Sequence, residues 1–296
     1  MTRHATRTLG LGLTLSALLM MAQGAGAAGA VTVGGTSRSG DILNVTGTAT
    51  FTDQPFVVVG TDETADTLVP GQDQIGQDLT ATSISSLANG GLALRWTVTT
   101  LPPANAPGIV YGWTFCVEMT CYEVDASLMN PGSGGETLGN VWRCADGACY
   151  QGDQTLIDST IRPTVDTAAK TITMSLTASL LGLAPGVKII PVTLSTMGPA
   201  FSGNGDLGLA NYFYNTGDGV LAIEDFTLAG KQVSVAVATA GLDPASLTYT
   251  SSVSPAGNGA YDASVDVSGK SGEHAVYVRA CLGAGNCAYA TQAVTL

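Results

Sequence analysis

The amino-acid sequence predicts an all-β protein, a jelly-roll-like β-sandwich followed by a small immunoglobulin-like β-sandwich. Apolar and polar residues alternate with a period of two in many short segments, and helical periodicity is almost absent. Turn residues, among them 38 Gly and 12 Pro, separate these segments. The 296 residues suffice for one large or two ordinary domains, and short strands at close spacing are typical of sandwiches.

The first thirty residues, 1–30, predict a secretory signal peptide. Arg3 and Arg7 precede an apolar stretch over 9–22 that is too short and too rich in Gly for a membrane span. Small-x-small sites follow within 25–30, as signal peptidase requires. We therefore expect a mature chain with no membrane span, secreted or extracellular, and association with the cell envelope stays open. An uncleaved anchor helix is the alternative interpretation.

The charge balance disfavours several classes of partner. The chain has 11 Lys+Arg against 23 Asp+Glu, a net charge of −12, and loss of the two Arg of the signal peptide makes this −14. Such a surface disfavours binding to nucleic acid through its phosphates and to anionic membranes. No phosphate-binding Gly-Lys motif is present, so we expect no nucleotide cofactor.

The first domain is predicted over residues 31–230. Its strands pair an apolar face with a face rich in Thr and Ser, as strands with one buried side do. Residues 179–183 are an exception and predict a single helical turn before Pro185 and Gly186. The clearest strands lie at 43–51, 92–98, 109–117 and 171–178.

The second domain is predicted over residues 231–296, after a boundary near Ala229 and Gly230. Its strands are shorter and more closely spaced, which is typical of an immunoglobulin-like or fibronectin-like sandwich. Five strands are fewer than the usual seven, so this domain is either truncated or borrows a strand from the first. The five candidates are 232–238, 247–253, 260–267, 273–281 and 287–296.

Six cysteines predict three local disulfides, each closing a hairpin. Each pair flanks a turn-forming segment, and facing strand positions have the Cα separation that a disulfide needs. A zinc site is the rival interpretation, but the spacing within the pairs and the lack of a nearby His disfavour it. Export to an oxidising compartment also favours disulfides. The predicted pairs are Cys116–Cys121, Cys144–Cys149 and Cys281–Cys287.

An acidic segment is the candidate metal site. No Lys or Arg occurs between Arg38 and Arg95, whereas acidic residues concentrate in 62–78. Neighbouring carboxylates repel one another, and Ca²⁺, which prefers oxygen ligands, relieves that repulsion. Calcium is thus the one cofactor that the sequence suggests, and a solvated acidic loop is the alternative. The candidate ligands are Asp62, Glu63, Asp66, Asp73 and Asp78.

Aromatic residues form the candidate ligand-binding surface. The aromatic residues of strand 109–117 share a face with apolar neighbours and are predicted core. Others flank the predicted Cys144–Cys149 hairpin or lie in the Gly- and Asn-rich stretch 198–219, where core and contact surface both stay open. Their flat faces suit sugar rings. The candidates are Trp142, Tyr150, Tyr212 and Tyr214.

The chain offers little catalytic machinery. After signal removal one His is left, His274, and no Gly-x-Ser-x-Gly elbow is present, so a His-dependent hydrolase is disfavoured. Two carboxylates at glycosidase separation need no motif, and nothing in the sequence singles out such a pair. We therefore leave enzyme activity open and favour a protein that is not an enzyme.

Part of the first domain resembles known sandwich families. The similarity to DOMON-type and family 9 carbohydrate-binding-type sandwiches covers roughly residues 53–126, although Ala65 stands where the pattern prefers Gly. It implies a β-sandwich that binds sugar, haem or calcium, and the missing His excludes haem. The second domain resembles immunoglobulin-like modules of exported bacterial proteins, which serve as spacers or adhesive units. The resemblance rests on an acidic run, an Asp-Leu pair and two apolar strands, at 62–66, 78–79, 92–98 and 111–115.

These observations predict a secreted binding protein without enzyme activity, whose partner is a cell-surface or environmental glycan. A structural or adhesive protein of the cell envelope that makes protein contacts is the alternative, motivated by exposed edge strands. A carboxylate-dependent glycoside hydrolase is the weaker alternative. The sequence predicts neither the ligand nor the oligomeric state.

Overall fold

The structure, a computed structural model, describes residues 29–61, 78–101, 109–128, 137–144, 154–197, 222–223, 225–283 and 285–296. The predicted signal peptide falls almost entirely outside these ranges. The described chain is all-β, as predicted, with every strand pair antiparallel. Its strands form four sheets around two separate hydrophobic cores, so the protein consists of two sandwiches.

The strands are numbered in chain order. The first pair comprises β1 (Val31–Ser39) and β2 (Ile42–Ala49). Twelve strands follow: β3 (Val57–Thr61), β4 (Leu79–Ser86), β5 (Leu92–Val98), β6 (Ile109–Val117), β7 (Thr120–Leu128), β8 (Thr137–Cys144), β9 (Gln154–Ile161), β10 (Thr164–Asp166), β11 (Thr171–Leu176), β12 (Lys188–Met197), β13 (Ala222–Ile223) and β14 (Phe226–Thr227). The last are β15 (Lys231–Ala238), β16 (Ser251–Val253), β17 (Ala260–Asp266), β18 (Glu273–Leu282) and β19 (Cys287–Thr295).

The larger sandwich packs two six-stranded sheets face to face. One has the order β10-β11-β5-β4-β3-β13 and the other β14-β12-β6-β7-β8-β9. The apolar face that alternation predicts in each strand lies between them, because both sheets must bury one side. Trp96 of β5 meets Trp113 of β6 edge to face, with ring centroids 6.0 Å apart, and the ring of Tyr111 lies 6.4 Å from that of Trp96. The predicted burial of the aromatic residues of β6 is confirmed.

The smaller sandwich draws strands from both ends of the described chain. Its sheets are β1-β2-β17 and β16-β15-β18-β19, seven strands in all, the number in a constant-type immunoglobulin sandwich. Leu43 and Val45 of β2 pack against Val235 and Val278 from the second predicted domain. The sequence-based division placed residues 31–49 in the first domain, whereas here they fill the second core. The apolar face of β1 and β2 is buried there because β2 pairs with β17.

The larger sandwich is therefore inserted between β2 and β15 of the smaller one, and two chain segments cross between them. Gln54 of the outgoing segment donates from Nε2 to the Leu282 carbonyl of β18 at 2.7 Å. Ala229 of the returning segment donates its backbone N–H to Ser86 Oγ of β4 at 2.9 Å. Gly283 lies between them with φ of +67°, and a Cβ there would come within 2.5 Å of Gln54 Nε2. These contacts fix the junction and require glycine at that turn.

Helical structure is confined to short turns in the described residues. The predicted helical turn is confirmed as α1 (Ala178–Leu181), which begins after Thr177, whose side chain accepts from the Leu180 N–H, and ends at Gly182 in the left-handed conformation. A 3-10 turn spans Pro244–Ser246. None of the helices in the described ranges has the length and hydrophobicity that a membrane crossing requires.

Two of the three predicted disulfides are confirmed. Cys116–Cys121 closes the hairpin of β6 and β7, and Cys281–Cys287 closes that of β18 and β19. Cys144 is disulfide-bonded too, but its predicted partner Cys149 lies outside the described residues. Cys121 is flanked by Cys116 on one side and Cys144 on the other. Its Cα lies 4.0 Å from that of Cys116, as in the closer, non-hydrogen-bonded type of strand pair, which explains the pairing.

Candidate functional site

Two carboxylates lie on one face of β7, opposite the core. The residues that alternate with them, Tyr122, Val124 and Ala126, are buried between the sheets of the larger sandwich. Strand geometry therefore places Glu123 and Asp125 on the outer face of the sheet β14-β12-β6-β7-β8-β9. Same-face neighbours on a strand are about 7 Å apart along the chain, so the two side chains form one site.

The register of the neighbouring strands determines what surrounds these carboxylates. Glu123 lies between Thr114 of β6 and Trp142 of β8. Asp125 lies one rung further on, between Gly112 and Asn140. Gly112 contributes no side chain next to Asp125 on the β6 side. The site thus combines two carboxyls, one hydroxyl, one amide and one indole on a rigid sheet.

Glu123 is held by a neighbour across the sheet. Gln154 at the start of β9 donates from Nε2 to Glu123 Oε2. Glu123 is half-buried, and this burial raises the pKa of its carboxyl, while the bond from Gln154 acts in the opposite direction. The carboxylate therefore has a fixed orientation with one oxygen committed to Gln154.

Asp125 is the most perturbed acid of the site. Its Oδ1 is fully buried and has no hydrogen-bond partner in the described part of the chain. Burial, and secondarily the charge of Glu123, raises the pKa of Asp125 to about 7, and a hydrogen bond from Trp142 opposes this. Near neutral pH the carboxyl is therefore partly protonated, and its buried oxygen lacks the partner that such atoms normally have.

The site has one apolar rim. Trp142 is half-buried and donates its indole N–H to Asp125, so the ring is fixed over the face of the sheet. Leu156 of β9 lies opposite Trp142 in the register and is 45% exposed. An exposed apolar side chain next to buried polar groups is typical of binding surfaces, where a few polar groups orient a ligand against apolar walls.

Of the residues predicted from sequence as ligand-binding, the structure places Trp142 in this site. The other three, Tyr150, Tyr212 and Tyr214, lie outside the described residues. Glu123 and Asp125 were not selected from the sequence, because acidic residues are denser in the 62–78 segment. The signal that could have found them is the pair of acids two residues apart within an apolar alternation.

Most of the predicted calcium ligands, Asp62, Glu63, Asp66 and Asp73, lie outside the described residues. Asp78 is described: it precedes β4, is 8% exposed, and its carbonyl accepts from the Thr99 N–H. It belongs to the sheet opposite the Glu123 site. In the described ranges no three His, Cys, Asp or Glu side chains cluster as a metal site would require. Calcium binding by the acidic segment stays a prediction.

Comparisons of the chain with protein-family models, curated proteins and solved structures find no match. The resemblance of residues 53–126 to DOMON-type and family 9 carbohydrate-binding-type sandwiches therefore stays a prediction. What the outer face of β7 can do follows from its own chemistry: two carboxyls in different environments, flanked by an amide, a hydroxyl and an indole.

Proposed function

We propose that this protein is an exported binding protein without enzyme activity, and that it binds a glycan on the outer face of the sheet around β7. One observation carries the proposal. The buried, unpartnered Oδ1 of Asp125 lies on the same face as Glu123 and beside the indole of Trp142. A buried polar atom without a partner costs free energy, and a ligand that supplies the missing hydrogen bond recovers that cost.

A sugar matches this set of groups. Each hydroxyl both donates and accepts, so it can donate to Glu123 and exchange hydrogen bonds with the carboxyl of Asp125 and the amide of Asn140. The C–H face of a sugar ring is apolar and fits against Trp142 and Leu156. The site therefore offers partners to both surfaces of a pyranose, polar and apolar.

The charge of the site favours a neutral ligand. The Glu123 carboxylate and the chain's net charge of −12 repel anions, which disfavours uronic acids and phosphates. A free cation would have to displace the proton of Asp125 and lacks a third acidic ligand in the described residues. We therefore propose a neutral cell-surface or environmental polysaccharide as the partner class.

The test is a screen of the purified mature chain against neutral glycans, followed by calorimetric titration of the best ligand. Trp142→Ala, Glu123→Gln and Asp125→Asn should each weaken binding about tenfold or more, because each removes one contact of the site. Asp266→Asn is the matched control, since it removes an exposed carboxylate from the smaller sandwich. A blank screen, or equal affinity of all variants, would contradict the proposal.

A glycoside hydrolase is the second candidate, supported by the raised pKa of Asp125. A carboxyl that stays protonated near pH 7 can act as a general acid beside a second carboxylate. Turnover of the bound glycan by the wild type and its loss in Asp125→Asn would favour this candidate. Binding without turnover would favour the first.

A structural role in the cell envelope is tested by fractionation. A protein that binds glycan should be released from the cell fraction by the free sugar identified in the screen. Retention in the envelope in the presence of that sugar would favour protein contacts instead.

A further inference from the structure

The edges of the four sheets differ in how they are protected. An edge strand has unpaired backbone N–H and C=O groups, and most proteins keep such strands short, bulged or charged. Four edges here are two or three residues long, β10, β13, β14 and β16. A short edge offers too few backbone groups for another strand to pair with it.

The longer edges other than β19 carry specific obstacles. β1 contains Gly34 and Gly35, and its register shifts there. β17 exposes two charged residues, Asp262 and Asp266. β9 shifts register twice against β8 and includes Asp158, whose carboxylate accepts from the Thr160 N–H. Bulges and charges of this kind prevent a further strand from pairing.

β19 has none of these features. Its nine residues, Cys287–Thr295, include no charged residue, no Pro and no Gly. It pairs with β18 in nine successive positions without a shift in register. Within the described chain no strand pairs with its other side, and β1, the edge strand that lies close to it, belongs to the opposite sheet. β19 is therefore a neutral edge of nine residues that is regularly paired on one side.

The sequence of β19 is complementary to itself. In an antiparallel pair of two copies with complete overlap, Thr291 faces Thr291 on the twofold axis. Tyr289 then faces Ala293 and Ala288 faces Val294, so apolar residues meet at these positions, whereas Ala290 faces Gln292. No charges face each other. Two copies of an acidic chain repel over most of their surfaces, and this neutral strand is a place where they can meet.

We propose that β19 is a dimerisation edge, along which a second copy of this chain pairs antiparallel to form one continuous eight-stranded sheet. Nine paired residues form roughly eight to ten backbone hydrogen bonds, about the number in a typical protein interface. A twofold axis makes the contact closed, so pairing stops at the dimer. If the outer face of β7 binds glycan, the dimer carries two such sites.

The first test is the concentration dependence of the mass of the mature chain in sedimentation. The wild type should pass from monomer to dimer as concentration rises. Thr291→Lys places two like charges opposite each other and should weaken the dimer by about tenfold or more. Ser159→Lys, the same change at an exposed position of the edge strand β9, should leave it unchanged.

The second test is disulfide cross-linking, which reports the register in which the two β19 strands pair. Thr291→Cys should form an interchain disulfide under mild oxidation, because the two copies of that residue face each other. Ala293→Cys should not, because its copies lie about 14 Å apart along the pair, beyond disulfide reach. Equal melting temperatures of the two variants establish that both are folded.

Three results would overturn the proposal. They are a monomer at every concentration without a Thr291→Cys cross-link, equal cross-linking of both cysteine variants, and a dimer that Thr291→Lys does not weaken. Binding of an extended peptide to a chain that never dimerises would likewise show that β19 serves a different partner.

Discussion

The two sandwiches differ in what fills their cores. The larger one packs big aromatic side chains, with Trp96, Trp113 and Tyr111 all fully buried. The smaller one is built mainly from Val and Ala, and Tyr261 is the aromatic residue among its core members. β-Branched residues such as Val pack well on the pleated surface of a sheet, whereas aromatic rings bury more area per residue.

The sandwiches also differ in the polar groups that they bury. Among the residues that the structure describes, six buried polar or charged ones belong to the larger sandwich, against Ser234 and Asn286 in or beside the smaller. It also contains Glu123 and Asp125, whose pKa values burial raises. Buried polar groups that weaken a fold are retained where they serve a function. The contrast supports our proposal that the ligand site lies in the inserted sandwich. The six buried polar or charged residues of the larger sandwich are Asp78, Thr82, Ser83, Ser85, Ser86 and Thr171.

The largest expected effect tests the difference between the cores. Trp96→Ala should lower the free energy of unfolding by about 3–5 kcal/mol, because it removes a fully buried indole and leaves a cavity. Val235→Ala in the smaller core should cost about 2 kcal/mol. Denaturant titration measures both. Equal losses would mean that the two cores contribute alike, and the comparison would fail.

The second expected effect is a pH dependence of stability, which tests the contribution of the buried Asp125 carboxyl in the larger sandwich. The folded-state pKa of Asp125 is about 7, above its ordinary value of 3.8, so the folded protein holds a proton that the unfolded chain releases. The wild type should lose up to about 4 kcal/mol of stability as pH rises from about 4 to about 7, and Asp125→Asn should lack that loss. Unfolding free energies measured across this range give the difference. Parallel curves for wild type and variant would contradict it.

A third effect concerns the hairpin disulfides, which should stabilise the two sandwiches by similar amounts. The disulfides Cys116–Cys121 and Cys281–Cys287 close loops of nearly equal length, with sequence separations of 5 and 6. Replacing either pair by alanines should cost about 2 kcal/mol by loss of loop-closure entropy in the unfolded chain. Calorimetry of the two double variants measures this. A much larger loss in one sandwich would show that its hairpin does more than close a loop.

The smallest effect concerns the junction. Gln54→Ala removes the hydrogen bond to the Leu282 carbonyl and should cost about 1 kcal/mol. It should also separate the melting of the two sandwiches, because this bond joins the outgoing segment to β18. Gln232→Ala, at an exposed position of β15, is the control. If both variants melt as the wild type does, the contact at Gln54 does not couple the sandwiches.

Local features of the fold could be predicted from the sequence. The Cys116–Cys121 hairpin is one, because the spacing of the two cysteines places them at facing strand positions beside a short turn. The strand alternation and α1 are others, since both depend on residues a few positions apart. In each case the deciding contacts lie within the segment that shows the pattern.

The pairing of β2 with β17 and the composition of the site could not be predicted in this way. Thr48 pairs with Ala260, although the entire inserted sandwich lies between them in the sequence. No local sequence pattern indicates such a pair. Glu123 and Trp142 meet because β7 and β8 align in one register, which a single sequence does not specify. Trp142 could be singled out by its chemistry, but its partners depend on strand pairing.

The insertion of one sandwich into the other has a consequence for how fast the chain folds. β2 pairs with β17, and the entire larger sandwich lies between these two strands in the sequence. Closing so long a loop in a disordered chain is slow, but a folded insert brings its two ends together and shortens the effective loop. We therefore expect the larger sandwich to fold before β2 pairs with β17. Slowing its folding should delay the appearance of the β2–β17 pair in hydrogen exchange, even though neither strand is altered.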